Sequence, residues 1–542
     1  MALETSPATG VSNPTDVSWM CVLCCGWFAA FFVYFSYVPL WHTDIWGHVA
    51  YGQWILDHGQ LPEFDPFVEL ARTTPLVATA WLSQILFGML ERSGGPERLS
   101  CAYAVVSVSI YAVLACLFLL RTGRPGLALL CSVLALLIGW NRHLVIRPEL
   151  LGTLLLAVLL TLLTAARLTG FDHRCSDTSQ RGLSTSGRWS VRGSVALLFG
   201  LWANIHGSFA VGLAVVAILA VGAIVDCGLN SRSIRPFFTQ ASSRESLVLL
   251  VIAASATLIN PYGIGLLAYV FTFGTNPNIA SISEWQSPEM LSVTGLGVAG
   301  ATALFLATLR FRQRRATPSE VLMLCVFTAA VCMRERMVTW YAPVAVLLIA
   351  PNLHGIVIRF EQQPWAMNFR ERLARRSRVQ TALIGFLVWV TFCFSPISQP
   401  VLGGQLRSGD QLFRNRTPRG IAEYLRNSAP VGRIANPQWW GDWLIWAGPP
   451  GLRVMMTTNS LHLVPASHFN NYTTISWAHA DIGNCLDEYD IQLIVIDRSL
   501  QTELTEYAVQ SPEWQIHYQD SQGLVALRRH DVEHIAEVRS DR

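Results

Sequence analysis

WMCVLCCGWFAAFFVYFSYVPLWHTDIWGHVAYGQWILDHGQLPEFDPF, residues 19–67, sets the terms on which the rest of the chain is read. Its first part, 19–40, carries no charge and is long enough to cross a hydrocarbon core of about 30 Å. Polar residues then begin abruptly with His42, Asp44 and His48, where such a helix would surface. The preceding residues contain no arginine, so a basic leader region is lacking, and no small-residue cleavage site follows the apolar run. The expectation is a retained first helix behind a cytoplasmic tail, residues 1–18.

Working outward, apolar stretches recur at 99–120, 125–140, 149–168, 193–204, 208–226, 246–261, 292–310, 319–333, 337–356 and 380–397. With the first, these predict a mainly α, polytopic transmembrane bundle of about eleven helices over 19–397. The composition agrees: 52% of residues are hydrophobic and only 14% charged, whereas soluble domains carry about 25% charge. The 39 basic residues are all arginine. Lysine Schiff-base chemistry is thereby excluded, and arginine and histidine are left as the cationic phosphate binders. Most of the 12 cysteines fall in apolar runs, as Cys21, Cys24 and Cys25 do, and read as small buried side chains.

Arginines populate alternate loops: Arg121 and Arg124; Arg167, Arg174, Arg181, Arg188 and Arg192; Arg232, Arg235 and Arg244; Arg310, Arg312, Arg314 and Arg315; then Arg359 and the cluster 370–378. The positive-inside rule makes these loops cytoplasmic. The opposite loops face outward, and the first of them, 41–98, is long, with amphipathic pieces at 47–58 and 80–91 that suit helices lying in the interface. After residue 398 the composition becomes that of a soluble domain. LRVMM (452–456) and IQLIVID (491–497) read as buried strands, 499–509 as a helix and 514–529 as a hairpin. Together they predict a small extracytoplasmic α/β domain over 398–542.

Ionisable residues at the ends of membrane helices are costly, and here they gather on the outer side. Asp44 and His48 are four apart, on one helical face. An aspartate against a low-dielectric wall suits a general base toward an acceptor hydroxyl. The plainer reading is an N-cap at Asp44 with Trp41, Trp46 and Trp54 forming an interfacial belt. Arg142 and Arg147, just before Pro148, suit a phosphate site at a helix start, or merely mark the membrane boundary. His206 interrupts an apolar run in LWANIHGSFAVG (201–212), and Arg334 and Arg336 flank Glu335 at another outer helix end. NPYG (260–263) reads as a turn, and EW (284–285) carries the weakest signal. A metal trio of His42, Asp44 and His48 has no further fixed ligand nearby.

The run from Asp44 to Phe67, with RPEL (147–150), LWANIHGSF (201–209), NPYG, EW and WWGDWLIW (439–446), resembles the GT-C superfamily of polytopic membrane glycosyltransferases, in particular bacterial members related to the protein O-mannosyltransferase and aminoarabinose transferase types. The resemblance covers nearly the whole chain. It implies a polyprenyl-phosphate-linked sugar donor, an aspartate of the first outer loop as base, and basic residues on the donor phosphate. Carried over, Asp44 matches that aspartate, and His48 and Asp65 match the rest of the loop motif. Arg147, His206, Arg334 and Arg336 match in residue type and membrane side; Arg142 joins them as a donor-phosphate candidate. Two departures stand out. Asp44 is not followed by an acid, and MMTTNS (455–460) replaces the Asp-Gly-Arg sequence that relatives often place there; each implies a different acceptor or lost catalysis.

The resulting expectation is a multi-pass protein of the bacterial inner membrane. It would move a sugar from a polyprenyl-phosphate donor to a glycan, lipid or protein acceptor outside the cytoplasm. No cofactor is required by this pattern, a divalent metal is left open, and no nucleic-acid partner is expected. The competing expectation is a non-catalytic binder or translocator of a lipid-linked glycan.

Overall fold

The computed structural model describes residues 17–166, 185–231, 241–280, 282–313, 315–428 and 432–529. Most of the expected N-terminal tail and the loop arginines Arg167, Arg174, Arg181, Arg232, Arg235 and Arg314 lie outside the described residues.

Each of the eleven apolar stretches falls on a helix. The first is α1 (Trp19–Ser36), whose Ser18 hydroxyl accepts from Cys21 N and caps its start. Among the described residues, six helices are long and apolar enough to cross a membrane by themselves, and the bent pair Arg378–Cys393 and Pro396–Leu402 would add a seventh span. The protein is a multi-pass membrane protein with the bundle architecture its sequence predicts.

Helix α2 (Ile45–His58) occupies the loop after the first span, the one expected to face outward, and α3 (Trp81–Thr122) follows it. The expected amphipathic piece at 80–91 is the beginning of α3. It runs into the apolar stretch through a break at Gly94 and Gly95, where Gly95 has φ +65°, a conformation open to glycine at little cost. Helices α4 (Pro125–Ile138) and α5 (Pro148–Ala165) each begin with proline in the first turn, where its missing N–H is harmless. Next come α6 (Thr185–Ile205) and α7 (Phe209–Ser231). The helix Val338–Glu361 is buried along most of its first half and forms the centre of the bundle.

Beyond the last apolar helix lies a small sheet domain. Strands β3 (Arg433–Ala435), β4 (Ile491–Asp497), β5 (Trp514–Gln519) and β6 (Gly523–Arg528) form one sheet in the order β3-β4-β6-β5. Only β3 and β4 are parallel. Strands β1 (Val17–Ser18) and β2 (Arg376–Ser377) are a separate short pair. The hairpin and IQLIVID fall where the sequence puts them. The run 452–456 does not form a strand: Val454 alone bridges, to Val68 on one side and Ile434 on the other. Its backbone is shared between the outer loop and the sheet, which leaves no room for a continuous ladder on either.

The sheet domain sits against α2. Trp46 is fully buried, with ring centroids 4.1, 5.2 and 5.6 Å from those of Trp446, Trp443 and Phe413. The end of the first span is tied in by Leu40, whose N donates to Leu412 O and whose O accepts from Arg414 N.

Candidate functional site

Asp44 stands immediately before α2, in N-cap position, yet its side chain caps nothing. It turns instead toward Arg147, the residue before α5, with Nε and Oδ2 2.5 Å apart. The contact is Coulombic rather than well directed, because Arg147 Nε and Asp44 Oδ1 are both buried without a hydrogen-bond partner. Arg147 Nη1 also donates to Glu284, at 2.9 Å.

Arg142, in the 3-10 turn Trp140–Leu144, bridges Glu284 at 2.6 Å and Glu149 at 2.8 Å. Glu149, in the first turn of α5, also accepts from Thr339 at 2.7 Å. Arg336 faces the same two carboxylates at longer range, 3.8 Å to Glu149 and 3.6 Å to Glu284, and lies over the Trp285 ring at 4.3 Å. Three arginines and three carboxylates from four separate chain segments thus converge at one place. Burial works against ionisation of Glu284, but the Arg147, Arg142 and Arg336 guanidiniums hold its carboxyl well below the usual range. Burial likewise opposes the charge on Arg142 and Arg147, and the surrounding carboxylates more than restore it.

The histidines are close by and uncharged. Burial lowers His48 to about 4 against the pull of Asp44, and its Nδ1 lies 3.3 Å from Gln84 Nε2. His206 is also lowered to about 4, first by burial and then by Arg336 and His48, against Glu149. Its Nδ1 accepts from Ser208 N at 3.2 Å, which leaves Nε2 as its other polar atom.

Two sequence candidates lie elsewhere. Asp65 accepts from Tyr51 Oη, Phe67 N and Val68 N, which pins the outer loop onto α2. Arg334 turns to Gly274 O at 3.0 Å and covers the other part of Trp285. Across the 3-10 turn Glu335–Met337 the two arginines share the Trp285 ring but differ in polar partners, Gly274 O for Arg334 and the two carboxylates for Arg336.

The sheet domain adds a group that the sequence reading did not single out. Asp442, in the helix Gln438–Ala447, is fully buried. Its oxygens accept from Asn459 Nδ2 at 2.8 Å and Thr458 N at 2.9 Å. Asn459 Nδ2 also donates to Asp44 O at 3.1 Å. Burial, and next the nearby Asp44 charge, push the Asp442 carboxyl up to about 7. Gly47 permits this approach: a Cβ there would fall on the side chains of Asp442 and Asn459. Glu284 and Glu149 were also passed over as site residues. Their signal was an acid beside a tryptophan at one outer turn and an acid just after a proline at another.

Chemically, the arrangement offers a carboxylate at the outer end of the first span, a neutral imidazole beside it, and guanidiniums within reach of both. Among the described residues no three His, Cys, Asp or Glu side chains are grouped to hold a metal ion. The three carboxylates present already face arginines.

No family model matches the chain, and no curated protein matches it either. Solved structures do. The apo crystal structure of the Archaeoglobus fulgidus oligosaccharyltransferase superposes with a TM-score of 0.55 at 13% identity, over 89% of this chain and 70% of that one. The same enzyme tethered to an acceptor peptide gives 0.54 at 13% identity, over 95% of this chain and 74% of that one. Its complex with an inhibitory peptide and a dolichol-phosphate gives 0.54 at 12%, with the same coverage. At this identity the likeness is one of fold, shared with that oligosaccharyltransferase.

Proposed function

We propose that the protein is a membrane glycosyltransferase of the GT-C type. It would move a sugar from a polyprenyl-phosphate donor to an acceptor on the outer face of a bacterial inner membrane, with the sheet domain on that same side. The observation that supports this most is the convergence on Asp44 of a guanidinium, a neutral histidine and the sheet domain, in a fold shared with enzymes solved with an acceptor peptide and with a dolichol-phosphate.

In this reading Asp44 takes the acceptor proton as the acceptor oxygen attacks the sugar carbon. The bond from that carbon to the donor phosphate breaks, and the phosphate leaves with the electron pair. Its charge needs a cation, and Arg336 is best suited to supply one. Its carboxylate contacts are the longest of the three arginines, so it costs least to redirect. Arg142 would share the load, with His206 as a neutral donor beside them. Arg147 pairs with Asp44 and aims it, and has to loosen as the donor phosphate arrives. Arg334 would act only through Trp285, and Asp65 and His48 as supports of the loop. No step is routed through a metal ion, since the carboxylates that would ligate one are engaged by arginines.

The test is sugar transfer from a polyprenyl-phosphate donor by the purified full chain in nanodiscs, wild type against Asp44→Asn. Loss of transfer with unchanged donor binding is expected, and unchanged transfer would remove Asp44 as base. The second reading, a non-catalytic binder or translocator of lipid-linked glycan, draws on the fact that Asp44 already faces Arg147. It requires Arg336→Ala to weaken lipid binding while Asp44→Asn changes nothing.

A further inference from the structure

Away from the arginine–carboxylate cluster, two adjoining cavities lie where the outer loop meets the sheet domain. The first, about 380 Å³, is lined by Glu69, Arg433, Arg453, Tyr489 and the Pro449–Pro450 pair, among others. The second, about 510 Å³, is lined by Trp54, Gln60, Glu63, Phe64, Arg72 and Arg453 among others. Arg453 belongs to both.

The charges of the first cavity are not balanced. Glu69 is bonded to Arg72 at 2.7 Å, so its charge is already met. Arg433 and Arg453 approach it only to 3.8 and 4.0 Å, beyond hydrogen-bond range. The Arg433 guanidinium spends one N–H on Tyr489 O, and that of Arg453 has no hydrogen-bond partner among the described residues. Two guanidiniums from different segments therefore face one open-sided cavity whose other walls are Glu69, the Pro449–Pro450 pair, Tyr489 and apolar side chains such as Leu452 and Met455. In the second cavity Glu63 is the exposed acid, Asp65 is tied into the loop and feels the Arg453 charge, and the lining includes the exposed Phe64 ring and Trp54, one face of which is stacked on His58.

We infer that these cavities form a saccharide-binding site for an oligosaccharide with one acidic sugar, its carboxylate or phosphate between Arg433 and Arg453 and its neutral neighbours running past Arg453 along Trp54 and Phe64. The planar fork of arginine matches either anion, and aromatic ring faces suit the apolar faces of sugars. A bare anion would use the first cavity alone, and a uniformly acidic chain would meet Glu63 in the second. The inference stands apart from the proposed transfer, because binding needs no base.

The experiment is isothermal titration of the full chain in nanodiscs with 3′-sialyllactose and with a glucuronic-acid-terminated xylotriose. Lactose and inorganic phosphate serve as neutral and bare-anion probes. At least one acidic oligosaccharide is expected to bind about ten-fold more tightly than either control. That binding should weaken about ten-fold in Arg433→Ala and in Arg453→Ala, and weaken with added salt. Both arginines are exposed, so the variants should fold, and transfer by them can be read separately. Phosphate binding as tightly as the acidic sugars, lactose binding equally, no binding of either acidic sugar, or variants that bind like wild type would each overturn the inference.

Discussion

Ion pairs gather at both ends of the helical bundle, and they are built differently. At the ends remote from Asp44, Arg121 Nη2 meets Glu320 at 2.7 Å, with both side chains fully buried. The second Glu320 oxygen accepts from Arg312 and from Thr317 N, completing the capping box of the helix Pro318–Met333. Arg192 grips Glu245 with two bonds, of 2.7 and 2.6 Å. Every oxygen of Glu320 and Glu245 has its cation, and each group ties a few neighbouring helix ends. At the outer end the carboxylates come from widely separated segments, one oxygen of Asp44 has no partner, and Arg336 stands off at 3.6 to 3.8 Å. A satisfied buried pair has nothing left to offer a ligand. Unfinished pairing among buried charges is what a binding or reacting site needs.

The contrast can be broken most sharply by exchanging the losses. Asp44→Asn should lower transfer by about a hundred-fold or more, the range of a lost general base, while thermal unfolding in nanodiscs barely moves. Glu320→Gln should do the reverse. Leaving Arg121 and Arg312 buried without their carboxylate costs about 3–5 kcal/mol, seen as earlier unfolding, with transfer per folded molecule unchanged.

A second contrast concerns pH. The folded carboxyl of Asp442 lies at about 7, above the ordinary carboxylate range. The folded state therefore favours its protonated form. That stabilisation is fully present below about pH 4 and is lost as pH rises through about 7. Unfolding of the sheet domain, followed by hydrogen exchange, should ease over this window by up to roughly 3–4 kcal/mol, and Asp442→Asn should flatten the slope. A profile without that slope in the wild type would remove Asp442 from the list of groups that titrate near neutrality.

Smaller effects separate the arginines from one another. Arg336→Ala is expected to lower kcat about ten-fold as well as kcat/KM for the donor, whereas Arg334→Ala, whose guanidinium goes to Gly274 O, should change either by no more than about two-fold. Smallest of all, chelation by EDTA should leave transfer unchanged, and restoration by added Mg²⁺ or Mn²⁺ after chelation would reverse the assignment of charge neutralisation to guanidinium groups.

Much of this was legible beforehand, for identifiable reasons. Apolar length accounts for the helices, and the break from Leu40 to His42 marks where the first of them gives way to the polar stretch that carries Asp44. Helix α2 was legible as an amphipathic run. What stayed hidden depends on segments distant in the chain meeting in space. Glu284 is joined to Arg142 across a separation of 142 residues, and no periodicity announces such a contact. Arg334 and Arg336 look equivalent on paper, and one 3-10 turn divides them. Asp442 sits in a tryptophan-rich helix that reads as packing, and it is packed; its neighbour across Gly47 is what makes it electrostatically unusual.

The hydrogen bond from Asn459 to Asp44 spans 415 residues of chain. A ribosome therefore threads the first span and its aspartate into the membrane long before the residue that braces them has been made. Until the sheet domain has been delivered to the same side and folded, α2 lacks the partner that buries Trp46 and the amide that steadies the Asp44 backbone. A partly synthesised or prematurely stopped chain would hold most of the charged groups without the amide that braces Asp44.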